Sequence, residues 1–163
     1  MNVGILTHHW LYNFGANLQA LATQRCLQSL GCQPVIVNYR PPKLVEKYDS
    51  RVSEQQQHAH ARFRDEWLLE TGICSDRQEV VEVATTAGVQ TMLSGSDAVL
   101  RLDPIRNRED LSFPNPFWLD WAVGRGMRTG FLAASSMGSN YLILPARTRA
   151  EMGQLLHQID CIG

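Results

Sequence analysis

Val3-Gly4-Ile5-Leu6-Thr7 runs into His8-His9-Trp10-Leu11-Tyr12-Asn13-Phe14-Gly15-Ala16-Asn17. An amphipathic stretch from Leu18 to Leu30 follows, stops at Gly31, and gives way to Val35-Ile36-Val37 and Asn38-Tyr39-Arg40-Pro41. The order is strand, glycine-containing loop, helix, strand. Leu18, Leu21, Ala22, Cys26, Leu27 and Leu30 recur at helical spacing and form one apolar stripe. Gly31 suits the position just past a helix end. Val35-Ile36-Val37 is short, β-branched and unbroken, as in a strand covered on both faces, and Pro41-Pro42 closes it. A parallel βαβ unit of this kind commonly seats a phosphate- or carboxylate-bearing ligand.

The rest of the chain continues the alternation. Residues 43–78 are polar and form an excursion, with a helix from about Glu54 to Glu70 capped by Ser53. Glu79 to Thr86 gives a short helix ending near Gly88, and Val89 to Leu93 a strand that opens into Ser94-Gly95-Ser96-Asp97. Residues 101–116 form a polar loop, followed by the aromatic run Phe117-Trp118-Leu119-Asp120-Trp121. Arg128 to Ala134 gives a strand, and Arg149 to Gln158 a helix capped by Thr148. Ile159 to Ile162 has the look of a further strand, either a sheet edge or the start of a longer design. The expected fold is a single α/β, Rossmann-like three-layer domain over residues 1–163 with a mainly parallel sheet.

Composition limits the function classes. The 163 residues suit one compact domain with a sizeable core. Net charge is −1, so no global field draws in nucleic acid or an anionic membrane. Thirteen arginines stand against Lys43 and Lys47 alone; that skew fits an anionic ligand, and equally a codon bias. No leader pattern opens the chain and no stretch reaches the ~20 apolar residues of a membrane helix. Cys26, Cys32, Cys74 and Cys161 show no CxxC spacing and are expected as reduced thiols in or near the core. The expected compartment is the cytoplasm.

The loop from His8 to Asn17 is the main candidate site. Gly15 permits close backbone approach, and Asn13, Asn17 and Gln19 offer amides to a ligand near the open N–H groups of the helix start. A plain strand-to-helix turn with an Asn cap explains the same residues. Gly95, Ser96 and Asp97 follow a strand whose carboxyl end faces the ligand crevice of an open α/β sheet. Asp97 can accept from a sugar hydroxyl, act as a base, or cap the next turn. His8 and His9 are proton carriers at the same sheet end, but neighbours on extended chain face opposite ways. His58 and His60 do not share a helix face, so no metal site is expected. The aromatic run can stack a sugar, fill the core, or make a subunit contact.

Several of these segments resemble the polysaccharide pyruvyl transferase family. They are Gly4-Ile5-Leu6-Thr7, Asn13-Phe14-Gly15-Ala16-Asn17-Leu18-Gln19-Ala20, and Val35 to Pro41. Ser94 to Asp97, Phe117 to Asp120 and Phe131 to Ser135 support them in the same order. The chain departs from the family at Ala98, Val99 and Leu100, where Gln, a hydrophobic residue and Trp are usual. The family also carries a second Rossmann-like half in a GT-B-like arrangement. The resemblance therefore implies the acceptor-side, N-terminal half of a cytoplasmic transferase of exopolysaccharide or cell-wall biosynthesis. It would move a pyruvyl group from phosphoenolpyruvate to a sugar of a cell-surface polysaccharide or its precursor, and Asn13, Gly15, Asn17 and Asp97 would border the acceptor cleft. No cofactor is implied beyond phosphoenolpyruvate as donor substrate. The expected partners are the sugar substrate and a homodimer mate or a missing C-terminal domain. Two rivals stand beside this: a non-catalytic binding or assembly module on the same fold, and a nucleotide-binding Rossmann domain. Against the latter, Asn38 occupies the position where an acidic residue would serve a ribose.

Overall fold

The computed structural model describes residues 1–103 and 111–163; the part of the expected 101–116 loop at 104–110 lies outside the described residues. Among the described residues six strands form one sheet: β1 (Asn2–Leu6), β2 (Gln33–Tyr39), β3 (Glu70–Cys74), β4 (Thr91–Gly95), β5 (Arg128–Leu132) and β6 (Cys161–Ile162). Every pairing is parallel and the order is β3-β2-β1-β4-β5-β6. The helices are α1 (Phe14–Ser29), α2 (Pro42–Asp49), α3 (Glu54–Trp67), α4 (Arg77–Thr86), α5 (Asp120–Val123) and α6 (Ala146–Leu156).

Strand alternation divides the core. Ile5 and Ile36 point to one face and pack with Ala20 of α1, Leu68, and Phe63 of α3. Their neighbours Leu6 and Val37 point to the other, where Tyr39, Met92 and Phe131 meet Val80 and Ala84 of α4 and Trp121 and Ala122 of α5. Helices thus cover both faces, giving a Rossmann-like three-layer α/β domain. A second cluster joins Trp118 to Leu102, Leu144 and α6 through Met152 and Leu155.

Several expectations change. Residues 43–78 are no excursion, because they carry α2, α3 and the edge strand β3. The polar, glycine-containing stretch Glu70-Thr71-Gly72 hid that strand; an edge position tolerates such composition. Helix α1 starts at Phe14 rather than Leu18, with Asn13 as its cap. Its buried side is Ala16, Asn17, Ala20 and Gln24, while Leu18 and Leu30 are exposed. Polar Gln24 belongs inside because it clamps two elements: its Nε2 donates to the Trp67 carbonyl at 3.1 Å and its Oε1 accepts from Leu69 N at 2.7 Å.

Ser53 caps α3 as expected, accepting from Gln56 N. Helix α6 begins three residues earlier than expected, and no side chain caps it. Of the four cysteines, all free, only Cys74 is buried and Cys26 and Cys161 are exposed. The aromatic run is core: Phe117, Trp118, Leu119 and Trp121 are 2% exposed or less, so it offers no surface for sugar stacking or a subunit contact. Ile159–Ile162 supplies β6, a two-residue edge strand on β5. Among the described residues no helix is long and apolar enough to cross a membrane.

Candidate functional site

Strand order sets the location. From β1 the chain winds outward through β2 to β3, then crosses back to β4 and winds the other way through β5 to β6. The loops leaving β1 and β4 therefore diverge and open a crevice at the carboxyl end of the sheet, the position where open α/β sheets bind ligands. A cavity of about 210 Å³ occupies that crevice. Its walls come from five places: His8, Leu11 and Asn13 after β1; Leu44, Lys47 and Tyr48 of α2; Asp97, Ala98 and Arg101 after β4; Leu111; and Met137 after β5. Two larger hollows, about 480 and 500 Å³, lie along α4 and share no lining residue with this cleft; they are wider, shallower grooves.

The polar groups of the cleft are partly committed. Asn13 Oδ1 accepts from Gly15 N at 2.8 Å, which leaves its Nδ2 to donate. Asp97 Oδ1 accepts from Ala98 N at 2.6 Å, while its backbone carbonyl receives Ser135 N at 2.8 Å. These bonds fix the turn after β4 and leave Asp97 Oδ2 as an acceptor. The His8 ring packs 4.5 Å from the Phe117 ring, between cleft and core. Lys47 Nζ lies 5.0 Å over the Tyr48 ring, which in turn meets Trp10 edge-on at 6.4 Å. Arg101 adds a second cation across the opening. Tyr12 OH donates to Asp49 Oδ1 at 2.5 Å and ties the β1–α1 loop to α2. Desolvation and the Asp49 carboxylate push the Tyr12 hydroxyl up to about 12, so it stays protonated.

The candidate residues separate cleanly. His8, Asn13 and Asp97 share the cleft. Gly15 is in the first turn of α1 with its amide already given to Asn13. Asn17 is fully buried: its Nδ2 donates to the His9 carbonyl, and its Oδ1 accepts from His60 Nδ1 at 2.6 Å. Gln19 is exposed on the outer side of α1, and Ser96 does not reach the lining. Gly95 serves the sheet, since at φ +126° a side chain there would strike the Leu132 carbonyl oxygen at 2.1 Å. His9 turns away from the cleft into the α1–α3 face, 0% exposed, with Nδ1 at 3.1 Å from the Thr7 carbonyl. Burial lowers its pKa to about 3 and keeps it neutral.

The sequence reading missed Lys47, Tyr48, Leu44, Arg101 and Met137. The signal was the pair Lys43 and Lys47, the only lysines of the chain, placed just past the carboxyl end of β2. Among the described residues no cluster of three His, Cys, Asp or Glu could hold a metal ion. No family model, curated protein or solved structure matches the chain.

Proposed function

We propose that the cleft binds a small ligand and that the chain is a polysaccharide pyruvyl transferase-like domain. In that role it supplies the acceptor-side half of a site that moves a pyruvyl group from phosphoenolpyruvate to a sugar of a cell-surface polysaccharide or its precursor. One observation supports the reading most: His8, Asn13 and Asp97, from two loops about ninety residues apart in sequence, line one cavity at the switch point of the sheet. Asn13 Nδ2 donates and Asp97 Oδ2 accepts, a pair suited to vicinal sugar hydroxyls. The Tyr48 ring offers an apolar face to a pyranose, and Lys47 and Arg101 suit a carboxylate or phosphate. His8 is the residue placed to carry a proton. A cavity of this size suits one small ligand, a monosaccharide or phosphoenolpyruvate. In this reading a second body supplies the donor side of the site, and the domain works in the cytoplasm.

The test titrates the chain with phosphoenolpyruvate and, separately, with a panel of free and nucleotide-linked sugars, following backbone amide shifts. Perturbation centred on Asn13, Tyr48 and Asp97 by one of them, abolished in the Asp97→Ala variant, supports the reading; no saturable shift at these residues with any ligand refutes it. Ketal formed by the isolated chain would refute the half-site assignment. A second reading, a binding or assembly module without catalysis, is favoured by the use of Asn17 and Gly95 as structural residues and by Asp97 Oδ1 being held in its own turn. It predicts no saturable shift at Asn13, Tyr48 or Asp97 with phosphoenolpyruvate or with any sugar.

A further inference from the structure

Behind the cleft wall, on the face covered by α1 and α3, lies a buried polar cluster in which three polar atoms lack a hydrogen bond. Glu70 opens β3, and its side chain, 16% exposed, is enclosed by His9, Asn38, Arg40 and Arg64. Asn38 Nδ2 donates to Glu70 Oε2 at 2.7 Å. Each of the two arginines has one donor engaged elsewhere. Arg40 Nε donates to Asn38 Oδ1 at 2.7 Å, and its terminal nitrogen stays 3.5 Å from Oε2. Arg64 donates to the Trp10 carbonyl at 3.4 Å, and its Nε stays 3.8 Å from Oε1. Neither makes the forked pair a buried carboxylate needs. Glu70 Oε1, His9 Nε2 and Arg64 Nε are left as buried atoms without a hydrogen bond.

Of the two basic side chains that face Oε1, His9 comes closer, with Nε2 at 3.4 Å against 3.8 Å for Arg64 Nε. The Thr7 carbonyl can only accept, so His9 Nδ1 carries the ring proton of the neutral imidazole and Nε2 is a bare lone pair. An ionised carboxylate would put a second lone pair against it. A doubly protonated imidazole would instead be a third buried cation beside Arg40 and Arg64. One proton on the carboxyl satisfies both atoms.

We propose that Glu70 is a positioning residue for the cleft loop: its carboxyl keeps a proton on Oε1 and donates it to Nε2 of His9. Burial pushes the Glu70 carboxyl up and Asp65 of α3 adds to this, against the pull of Arg64 and Arg40. The bond holds the ring of His9, whose carbonyl is also held by Asn17 and whose neighbour His8 lines the cleft. Loss of the proton to solvent turns an O–H···N bond into a contact of lone pairs and frees the β1–α1 loop. The functional consequence rests on the ligand reading of the cleft; the proton itself does not.

The test follows the Glu70 side-chain carboxyl by carbon NMR across pH in the full chain, together with amide exchange at Trp10, Leu11 and Tyr12. Glu70 is expected to titrate above the ordinary glutamate value, with loop exchange accelerating roughly tenfold as it does so. Glu70→Gln supplies an N–H in place of the O–H, so slow exchange should persist and lose its pH dependence; Glu70→Ala should exchange fast at every pH. Titration at or below the ordinary value overturns the proposal, as does a Glu70→Gln loop as mobile as that of Glu70→Ala. If the glutamine variant fails to fold, the wild-type titration decides. Absence of phosphoenolpyruvate or sugar binding would sink the ligand reading and leave these readouts intact.

Discussion

Replacing Gly95 by alanine tests whether this residue serves the sheet or a ligand. Gly95 sits at φ +126°, a region L residues rarely adopt, at the carboxyl end of β4. Backbone strain of this kind costs about 1–3 kcal/mol. The added Cβ would also stand 2.1 Å from the Leu132 oxygen, 3.0 Å from its carbonyl carbon and 3.3 Å from Ala134 N. All three are backbone atoms of β5 and the turn beyond it, so no rotamer change relieves the clash. Forcing the strands apart costs about another 1–3 kcal/mol, the usual range for overpacking. The expected loss is about 4 kcal/mol. That is a large share of the ~5–15 kcal/mol that holds a domain together, and it should lower Tm by roughly 10 °C for a chain of this size. Urea and thermal unfolding followed by far-UV circular dichroism measure it directly. A variant within about 0.5 kcal/mol of wild type, the range of an ordinary surface change, would refute the packing argument. Lost ligand binding with unchanged stability would return Gly95 to the cleft.

Other outcomes follow from the same geometry. Asn17→Ala strands the His9 carbonyl and the His60 ring nitrogen in the interior, and should cost about 2–5 kcal/mol in urea unfolding at two buried partners; recovery by more than half in Asn17→Asp would argue against the need for an amide. His9 has a folded pKa depressed from 6.5 to about 3. Its contribution is therefore present above pH 6.5 and lost as pH falls toward 3, by up to ~1.4 kcal/mol per unit; His9→Asn should flatten that acid slope, and an unchanged slope counts against a neutral buried imidazole. Gln24→Leu removes the bridge from α1 to the start of β3 and should cost about 1–3 kcal/mol, with amide exchange at Leu69 rising first. Asp97→Asn retains an oxygen for Ala98 N, so it should leave the melting temperature within a few degrees while weakening binding of any sugar that donates to Oδ2.

The course of the chain was largely legible because β-branched runs and stop signals are local. Ile36 and Val37 are buried, one on each face, as the composition implies, with Val35 partly so, and Gly31 follows the last turn of α1. Errors arose where burial and polarity part company. The inner face of α1 holds Asn17 and Gln24, which a hydrophobic stripe cannot reveal, since their place is set by hydrogen bonds to residues more than forty positions away. Of the apolar stripe, Leu21 and Leu27 pack against the core, while Leu18, Ala22, Cys26 and Leu30 face solvent. β3 was invisible because an edge strand needs little apolar surface. In the site, Asn13, His8 and Asp97 were legible from their position after strands. Lys47 and Tyr48 were not, because α2 is carried to the crevice by the turn at Pro41-Pro42, and no periodicity records where a short helix will fold back.

The β1–α1 loop is not a detachable piece of surface. Tyr12 fastens it to α2 through Asp49, Asn17 fastens the His9 carbonyl to α3 through His60, and Arg64 reaches the Trp10 carbonyl from behind. A protein engineer who grafts this segment into another scaffold, or imports a foreign one here, must transplant residues 9, 12, 17, 49, 60, 64 and 70 as a single cassette. Diversity libraries aimed at new recognition properties should accordingly leave those seven alone and vary Leu11, Leu44, Ala98 and Met137.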